Sequence, residues 1–231
     1  MPAFFITGTD TGIGKTLFSA ALLHALNDLG YTAVGMKPVA AGAEQGPAGW
    51  VNEDVALLGS ASSVSAPGEW VNPYLFREAI APHLAAGHKG VAIEIPRIAA
   101  ALDELRKLAQ VVVVEGVGGF RVPLGPDRDT ADLAVRLGLP VIMVVGMRLG
   151  CLNHALLTAE AIAARGLTLA GWVANHLDPD MAAYDGNLAT LQRSLPAPLI
   201  AEFPHQTKPD PARLAHYLAA VRLRALPGLD T

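Results

Sequence analysis

Residues 4–16 set the strongest constraint on what this chain can become. An apolar run, Phe4-Phe5-Ile6, is followed by Thr7-Gly8-Thr9-Asp10-Thr11-Gly12-Ile13-Gly14-Lys15-Thr16, and then by a helical pattern of Leu17, Ala20, Ala21, Leu23 and Leu26. A strand, a glycine-bearing turn and a Lys-Thr pair opening a helix form a cradle for phosphate. Backbone N–H groups of the loop and the positive end of the helix dipole converge on an anion. In such a P-loop, Lys15 reaches the β and γ oxygens and the Thr16 hydroxyl ligates Mg²⁺. The slot that usually opens the pattern with Gly holds Thr9, with Gly8 one position earlier. A plain turn between a strand and a helix would explain the glycines but not Gly-Lys-Thr at the helix start, so the expectation is nucleotide binding.

The 231 residues suit one domain spanning 1–231, with ample core. Apolar residues make up 52% of the chain, but no run approaches the roughly 18 apolar residues of a membrane span. The N-terminus lacks a basic stretch followed by an apolar one, so no signal peptide is expected. A net charge of −4, with 17 Lys and Arg residues spread along the chain, argues against nucleic acid as a partner. The single cysteine, Cys151, leaves no internal disulfide framework and fits a reducing cytoplasm.

Short apolar or β-branched runs alternate with longer helical patterns. Strands are expected near 3–7, 32–36, 111–115, 140–145, 168–173 and 198–202, and helices near 15–29, 52–60, 97–109, 130–138, 152–165, 181–194 and 211–224. The continuous run Val111–Val114 is the pattern of a strand buried on both faces of a parallel sheet. The alternation predicts an α/β fold: a doubly wound, mostly parallel sheet with helices on both faces, of P-loop NTPase type. Ligands bind such a sheet at the C-terminal ends of its strands. The irregular stretch 40–96, rich in Gly, Pro and Ser, is expected to lie over that binding face.

Chemistry-bearing residues cluster at the expected strand ends. Strand 111–115 closes in Glu115-Gly116-Val117-Gly118-Gly119, an acid after a buried apolar run, placed to reach Mg²⁺ at the loop. The glycines let backbone approach a nucleotide closely. Strand 32–36 runs into Lys37-Pro38-Val39, and a lysine there can stabilise charge in phosphoryl transfer or be a solvated side chain. Asp54, at the start of a helix, either caps it or supplies a second carboxylate for Mg²⁺. Gly150-Cys151-Leu152-Asn153-His154 precedes a helix whose start could hold a carboxylate, with Asn153 as a plain N-cap the alternative. Asn175 follows a strand and either reads an adenine edge or turns the chain. The seven histidines are dispersed, with no pair at zinc-ligand spacing.

Taken in order, several segments resemble one family, the dethiobiotin synthases: Thr7–Thr11 with Gly14-Lys15-Thr16, Lys37–Ala40, Asn72-Pro73-Tyr74, Pro82-His83, Val114–Gly119, Leu149–His154, and Gly166-Leu167 through Ala174-Asn175. They extend to about residue 206, leaving only the last stretch poorly covered. The resemblance implies Mg²⁺ held by Thr16, Asp54 and Glu115. It implies nucleotide contacts from Gly12, Ile13, Gly14, Lys15, Thr16 and Leu17, from Asp54 and Glu115–Gly118, and from Asn175, His176, Pro204, His205 and Gln206. The implied reaction is ATP-dependent: 7,8-diaminononanoate takes up CO₂ on one amine, the carbamate attacks the γ-phosphate, and the second amine closes a ureido ring. Lys37 and Lys15 would be the catalytic residues, and Thr11, Lys37, Ala41, Gly150, Cys151 and Asn153 would contact the substrate. A homodimer is also implied, with Gly150–Asn153 of one subunit receiving the substrate carboxylate bound at the other.

The chain departs from the family pattern at Ala41 and Ala81, where members often have Ser, and at Gly12, where some have Glu. Each lost neutral hydrogen bond is worth about 0.5–1.5 kcal/mol, enough to weaken substrate binding without abolishing chemistry. The rival reading is a ParA- or MinD-like ATPase switch. Those proteins carry a signature Lys in the slot held here by Asp10, and MinD-like chains end in a basic amphipathic membrane helix. Leu214, Tyr217, Leu218 and Val221 form an amphipathic pattern with Arg213, Arg222 and Arg224 nearby, for which packing on the domain is the expected use. An amidotransferase-type synthetase would need a glutaminase domain, and the chain is too short for both.

Overall fold

The computed structural model describes residues 1–47 and 49–229. In chain order it contains β1 (Ala3–Gly8), α1 (Lys15–Asp28), β2 (Ala33–Met36), β3 (Val39–Ala41), β4 (Glu44–Gly46), β5 (Gly49–Val51), α2 (Glu53–Ala61), α3 (Gly68–Val71) and β6 (Tyr74–Phe76). Next come α4 (Pro82–Lys89), α5 (Ile95–Leu108), β7 (Val111–Glu115), α6 (Thr130–Leu137), β8 (Val141–Met147), α7 (Cys151–Ala164) and β9 (Leu169–His176). The chain closes with α8 (Tyr184–Ser194), β10 (Leu199–Phe203), α9 (Pro211–Leu214), a 3₁₀ turn (Ala215–Tyr217) and α10 (Ala220–Arg224).

Six strands form one parallel sheet in the order β10-β9-β8-β1-β7-β2. These are the six strands expected from the apolar runs. The runs Val111–Val114 and Val141–Val145 are buried on every residue, because helices cover both faces of the sheet. On one face Phe4, Ile6, Val113, Val144 and Val173 pack against α1, α2 and the C-terminal segment. On the other, Phe5, Val34, Val112 and Val114 meet α5 and α6, while Met143, Val145, Trp172 and Ala174 meet α7 and α8. Each large apolar side chain so buried contributes about 1.5–3 kcal/mol. β1 lies between β7 and β8, so the loop after β1 sits at the centre of the sheet's C-terminal edge, beside the ends of both neighbours.

The irregular stretch after β2 holds more structure than its composition suggests. β3 pairs with β6 in a small parallel sheet, β4 and β5 form a hairpin, and α3 and α4 flank β6. Each of these strands has only three residues, too few to show a period. The helix expected over 211–224 is broken into α9, a 3₁₀ turn and α10. Leu214, Leu218, Leu223 and Leu226 are buried against the α1 face, but the five residues from Leu218 to Leu223 exceed one helical turn, so the chain turns at Leu218 and Ala219 to keep both inside. Arg222 Nη1 donates to the Leu199 and Ile200 carbonyls at 3.2 and 3.3 Å, tying this segment to β10. The helix expected from 181 starts at Tyr184, because Ala183 is left-handed at φ 55° and Asp178 and Asp180 form a turn before it. Among the described residues, no helix is long and apolar enough to cross a membrane.

Candidate active site

The phosphate loop has the shape its glycines require. Gly14, the residue before α1, sits at φ 89°, and a side chain there would collide with the amide of Asn175. That amide donates from Nδ2 to the Ile13 carbonyl at 2.9 Å, so the end of β9 braces the loop. Lys15 is buried and donates to the Asp10 carbonyl at 3.1 Å, folded back along the loop. The Asp10 carboxylate accepts from the Thr11 N–H at 2.7 Å and from Arg148 Nη2 at 2.5 Å. An acid therefore occupies the slot where a switch ATPase carries its signature lysine.

Three further elements bring charge to the mouth of the loop. Glu115, at the end of β7, is wholly buried, and its Oε1 lies 2.8 Å from Thr16 Oγ1 and 2.5 Å from Lys37 Nζ. Asp54 Oδ1 lies 2.8 Å from Thr16 Oγ1, and its Oδ2 is 2.7 Å from Lys37 Nζ. Asn52, not Asp54, caps α2 by accepting from the Val55 N–H at 3.3 Å, which leaves the Asp54 carboxylate free to face the loop. Lys37 is held at its backbone: its N–H donates to the Val71 carbonyl at 2.8 Å, and its own carbonyl accepts from Asn72 Nδ2 at 2.5 Å.

The protonation of this cluster follows from its packing. Burial alone would lower the Lys37 pKa, but Glu115 and Asp54 outweigh it and raise it above the ordinary lysine value. Burial would likewise raise Asp54, and Lys37 outweighs it to hold the carboxyl below its usual range. Lys15 lacks so close a carboxylate. Burial first and the Lys37 charge second bring it down from 10.5 to about 8. The free chain thus keeps one lysine firmly charged and the other poised near neutrality.

The donor set at Thr16 fits a divalent cation. A hydroxyl and two carboxylates converge from three elements, and Glu115 Oε2 is buried with no hydrogen-bond partner. An unpaired buried carboxylate oxygen is costly unless a cation or donor meets it. Thr16, Asp54 and Glu115 are hard oxygen ligands of the kind Mg²⁺ takes alongside phosphates.

These side chains line a cleft of about 740 Å³, together with Thr11, Gly12, Gly14, Ala41, Val117 and Gly118. Ala81, read from the sequence as a departure that weakens substrate binding, also lines it, as do Ala79, Ile80, Pro82 and Val122, to which the sequence reading gave no site role. For these last four the only signal was Pro82-His83, read as a family motif. Of the remaining expected residues, Ile13 is buried beneath the loop, Leu17 packs on the core and Gly116 donates its N–H to the Ile6 carbonyl at 2.9 Å. Asn175 is buried against the loop. His176 stacks on Tyr184 at 4.1 Å between ring centroids and meets the His205 ring edge-on at 6.4 Å. Gln206 accepts from the Asp210 N–H at 3.2 Å, and Pro204 and His205 follow β10. Gly150, Cys151 and Asn153 open α7 away from this cleft. Gly150 at φ 95° is the N-cap, Cys151 is buried, Asn153 is exposed, and Leu149 is 94% exposed. Asn153 is therefore not the plain cap weighed from the sequence.

Comparison with known proteins decides among the families that use such a loop. The chain is 58% identical to the ATP-dependent dethiobiotin synthetase BioD of Aromatoleum aromaticum over 221 residues, covering 96% of this chain and 97% of that protein. It is 57% identical to the BioD of Ralstonia nicotianae, covering 91% and 92% of the two chains. The chain belongs to the ATP-dependent dethiobiotin synthetase family. A broader family model, described as an AAA domain, matches residues 2–213. The fold is also found well outside the family. The septum site-determining protein MinD of Pyrococcus horikoshii, complexed with Mg-ADP, is 14% identical at a TM-score of 0.59, covering 94% of this chain and 93% of that one. The MinD cell division protein of Aquifex aeolicus is 16% identical at a TM-score of 0.57, covering 99% and 92%. At such identities the similarity is one of architecture.

Proposed function

We propose that this chain carries out ATP-dependent carboxylation and ring closure of 7,8-diaminononanoate, giving dethiobiotin, ADP and phosphate. The observation that carries the reading is Lys37: a buried ammonium at the end of β2, within 2.7 Å of Asp54 and 2.5 Å of Glu115, in the same cleft as the phosphate-loop Lys15 and Thr16. High identity to proteins named dethiobiotin synthetase supports it.

The chemistry needs no covalent nucleophile from the protein. One amine of the substrate adds to CO₂ and loses a proton, giving a carbamate. A carbamate oxygen attacks the γ-phosphorus and ADP leaves. The second amine then attacks the carbonyl carbon, the C–O bond to phosphate breaks, and the ureido ring closes. Both substrates are held together in the cleft, so the protein's work is positioning and charge stabilisation. The N–H groups of Gly12 to Lys15 cradle the phosphates. Lys15 stabilises the β and γ oxygens, and Lys37 stabilises charge on the carbamate and the transferring phosphoryl group. Thr16, Asp54 and Glu115 hold Mg²⁺, which when bound neutralises phosphate charge. Asn175 has its Nδ2 engaged with the loop, which leaves its carbonyl oxygen for the adenine amino group, with His176 and Pro204–Gln206 nearby.

Thr11 and Ala41 border the diamine, and Gly150, Cys151 and Asn153 serve the carboxylate end from a second subunit of a homodimer. Supporting that reading, these three lie outside the cleft of their own chain and Leu149 beside them is almost fully exposed. A cytoplasmic enzyme without nucleic acid or membrane partners fits the dispersed basic residues. The switch reading is not favoured: Asp10 fills the signature slot, and the C-terminal leucines pack on the core. The test is phosphate release from ATP with Mg²⁺ and bicarbonate. Release only when the diamine is present supports the ligase; diamine-independent turnover stimulated by lipid or a protein partner would overturn it.

A further inference from the structure

The connection from β7 to α6 runs from Gly116 to Asp129 and folds back on itself. Backbone pairing closes its tip, with the Leu124 N–H donating to the Arg128 carbonyl at 2.9 Å, and one buried side chain ties its first half back: Thr130, at the start of α6 and 1% exposed. The Thr130 N–H donates to the Val122 carbonyl at 2.9 Å, and the Val122 N–H donates to Thr130 Oγ1 at 2.9 Å. The same hydroxyl donates to the Phe120 carbonyl at 2.7 Å. Around this clamp, Asp129 pairs with Arg121 at 2.5 Å, Asp129 and Asp132 form a capping box, and Arg165 reaches Asp132 at 2.6 Å.

What the clamp holds faces the cleft. Val122 lines it beside Val117, Gly118 and Thr11. Gly118 is left-handed at φ 63°, and a Cβ there would meet Val122 Cγ2 at 2.8 Å and Thr11 Oγ1 at 3.5 Å. Val122 is thus packed onto Gly118, and the two close against the outer end of the phosphate loop. With Ala41, Ala79, Ile80 and Ala81, these residues give the cleft apolar walls, while Lys15, Lys37 and Glu115 supply charge. Apolar walls of this kind suit the methylene chain of a diamino acid and have nothing to offer a triphosphate.

We propose that Thr130 is a positioning residue for the diamine: its hydroxyl fixes the Phe120–Val122 turn and so sets the wall against which the substrate chain lies. The proposal rests on the diamine reading above. None of the three clamp bonds involves Gly12–Thr16, Asp54, Glu115 or Asn175, so the phosphate loop and the expected Mg²⁺ ligands do not hang on it, although Val122 does touch Gly118, an expected nucleotide contact.

The test compares Thr130→Val, which keeps shape and removes the hydroxyl, with Thr130→Ser, which keeps the hydroxyl. Thr130→Val leaves the Phe120 carbonyl and the Val122 N–H without their partner, and should raise KM for the diamine about three- to tenfold. The kcat and the KM for ATP should stay within about twofold of the parent, and Thr130→Ser should restore the diamine KM. An unchanged diamine KM in Thr130→Val, or a parallel rise in both KM values, overturns the assignment. Should Thr130→Val fail to fold, Val122→Ala decides: a selective rise in diamine KM supports the wall, and no rise overturns it. A parent protein without diamine-dependent turnover would instead overturn the function itself and the assignment with it.

Discussion

Replacing Lys37 by alanine probes both the stability and the chemistry of the cleft. Its ammonium is the only group within hydrogen-bond distance of both Asp54 Oδ2 and Glu115 Oε1 among the described residues. Glu115 is wholly buried and its Oε2 already lacks a partner, so Lys37→Ala takes the paired cation from a buried carboxylate and leaves its Oε1 only the Thr16 hydroxyl at 2.8 Å. Breaking a buried pair in this way costs about 3–5 kcal/mol. The Asp54 side chain is 40% exposed and recovers water, which places the cost near about 3 kcal/mol. For a domain of this size that corresponds to a fall in Tm of about 6–12 °C for the ligand-free protein. In turnover, loss of a preorganised charge facing the transferring group should lower kcat by about 10²–10³. The assay pairs a thermal melt with diamine-dependent phosphate release, and calorimetry with ADP checks that the loop still binds nucleotide. A variant with an unchanged melt and a kcat within about threefold of the parent would refute both arguments, since it would mean that neither carboxylate nor transition state depends on the ammonium.

Lys15 gives a pH dependence. Its pKa of about 8 belongs to the folded, phosphate-free chain, so below about pH 8 the folded protein holds a buried charge at a cost, and Lys15's contribution to stability improves as pH rises from about 8 toward 10.5. Bound triphosphate should restore the proton, so ATP binding at about pH 9 should take up as much as about one proton and weaken as pH rises further. Calorimetry in buffers of differing ionisation heat measures this, and buffer-independent heats would contradict it. Ala81 caps α4 without a side-chain bond. Ala81→Ser should therefore add about 1 kcal/mol and raise Tm by about 2–4 °C, whether or not the diamine KM falls. An unchanged melt would show that the α4 start needs no cap.

Six strands and most long helices were legible because burial on both faces leaves unbroken valine and isoleucine runs, as at Val111–Val114. β3 to β6 were not, since three-residue strands in a Gly- and Pro-rich stretch carry no period and form only by packing over the cleft. The same limit applied to the site. Glu115 and Lys37 could be read because each ends a strand beside the loop. Asp54 remained open between cap and ligand until the side chain of Asn52 proved to hold the helix start. Val122 and Thr130 were out of reach, because a hydroxyl that ties a long connection back to a helix start leaves no local pattern. Leu214, Tyr217, Leu218 and Val221 read as one amphipathic face, yet the chain bends to bury Leu214, Leu218 and Leu223 and leaves Tyr217 and Val221 exposed.

The path of a single oxygen atom tests the chemistry most directly. If a carbamate oxygen attacks the γ-phosphorus and the later C–O cleavage releases phosphate, one oxygen of CO₂ must leave with that phosphate. Turnover with ¹⁸O-labelled CO₂, ATP and the diamine should give dethiobiotin together with phosphate carrying one labelled oxygen. Dethiobiotin formed with unlabelled phosphate, or labelled phosphate formed without the diamine, would contradict the carbamate route through this cleft.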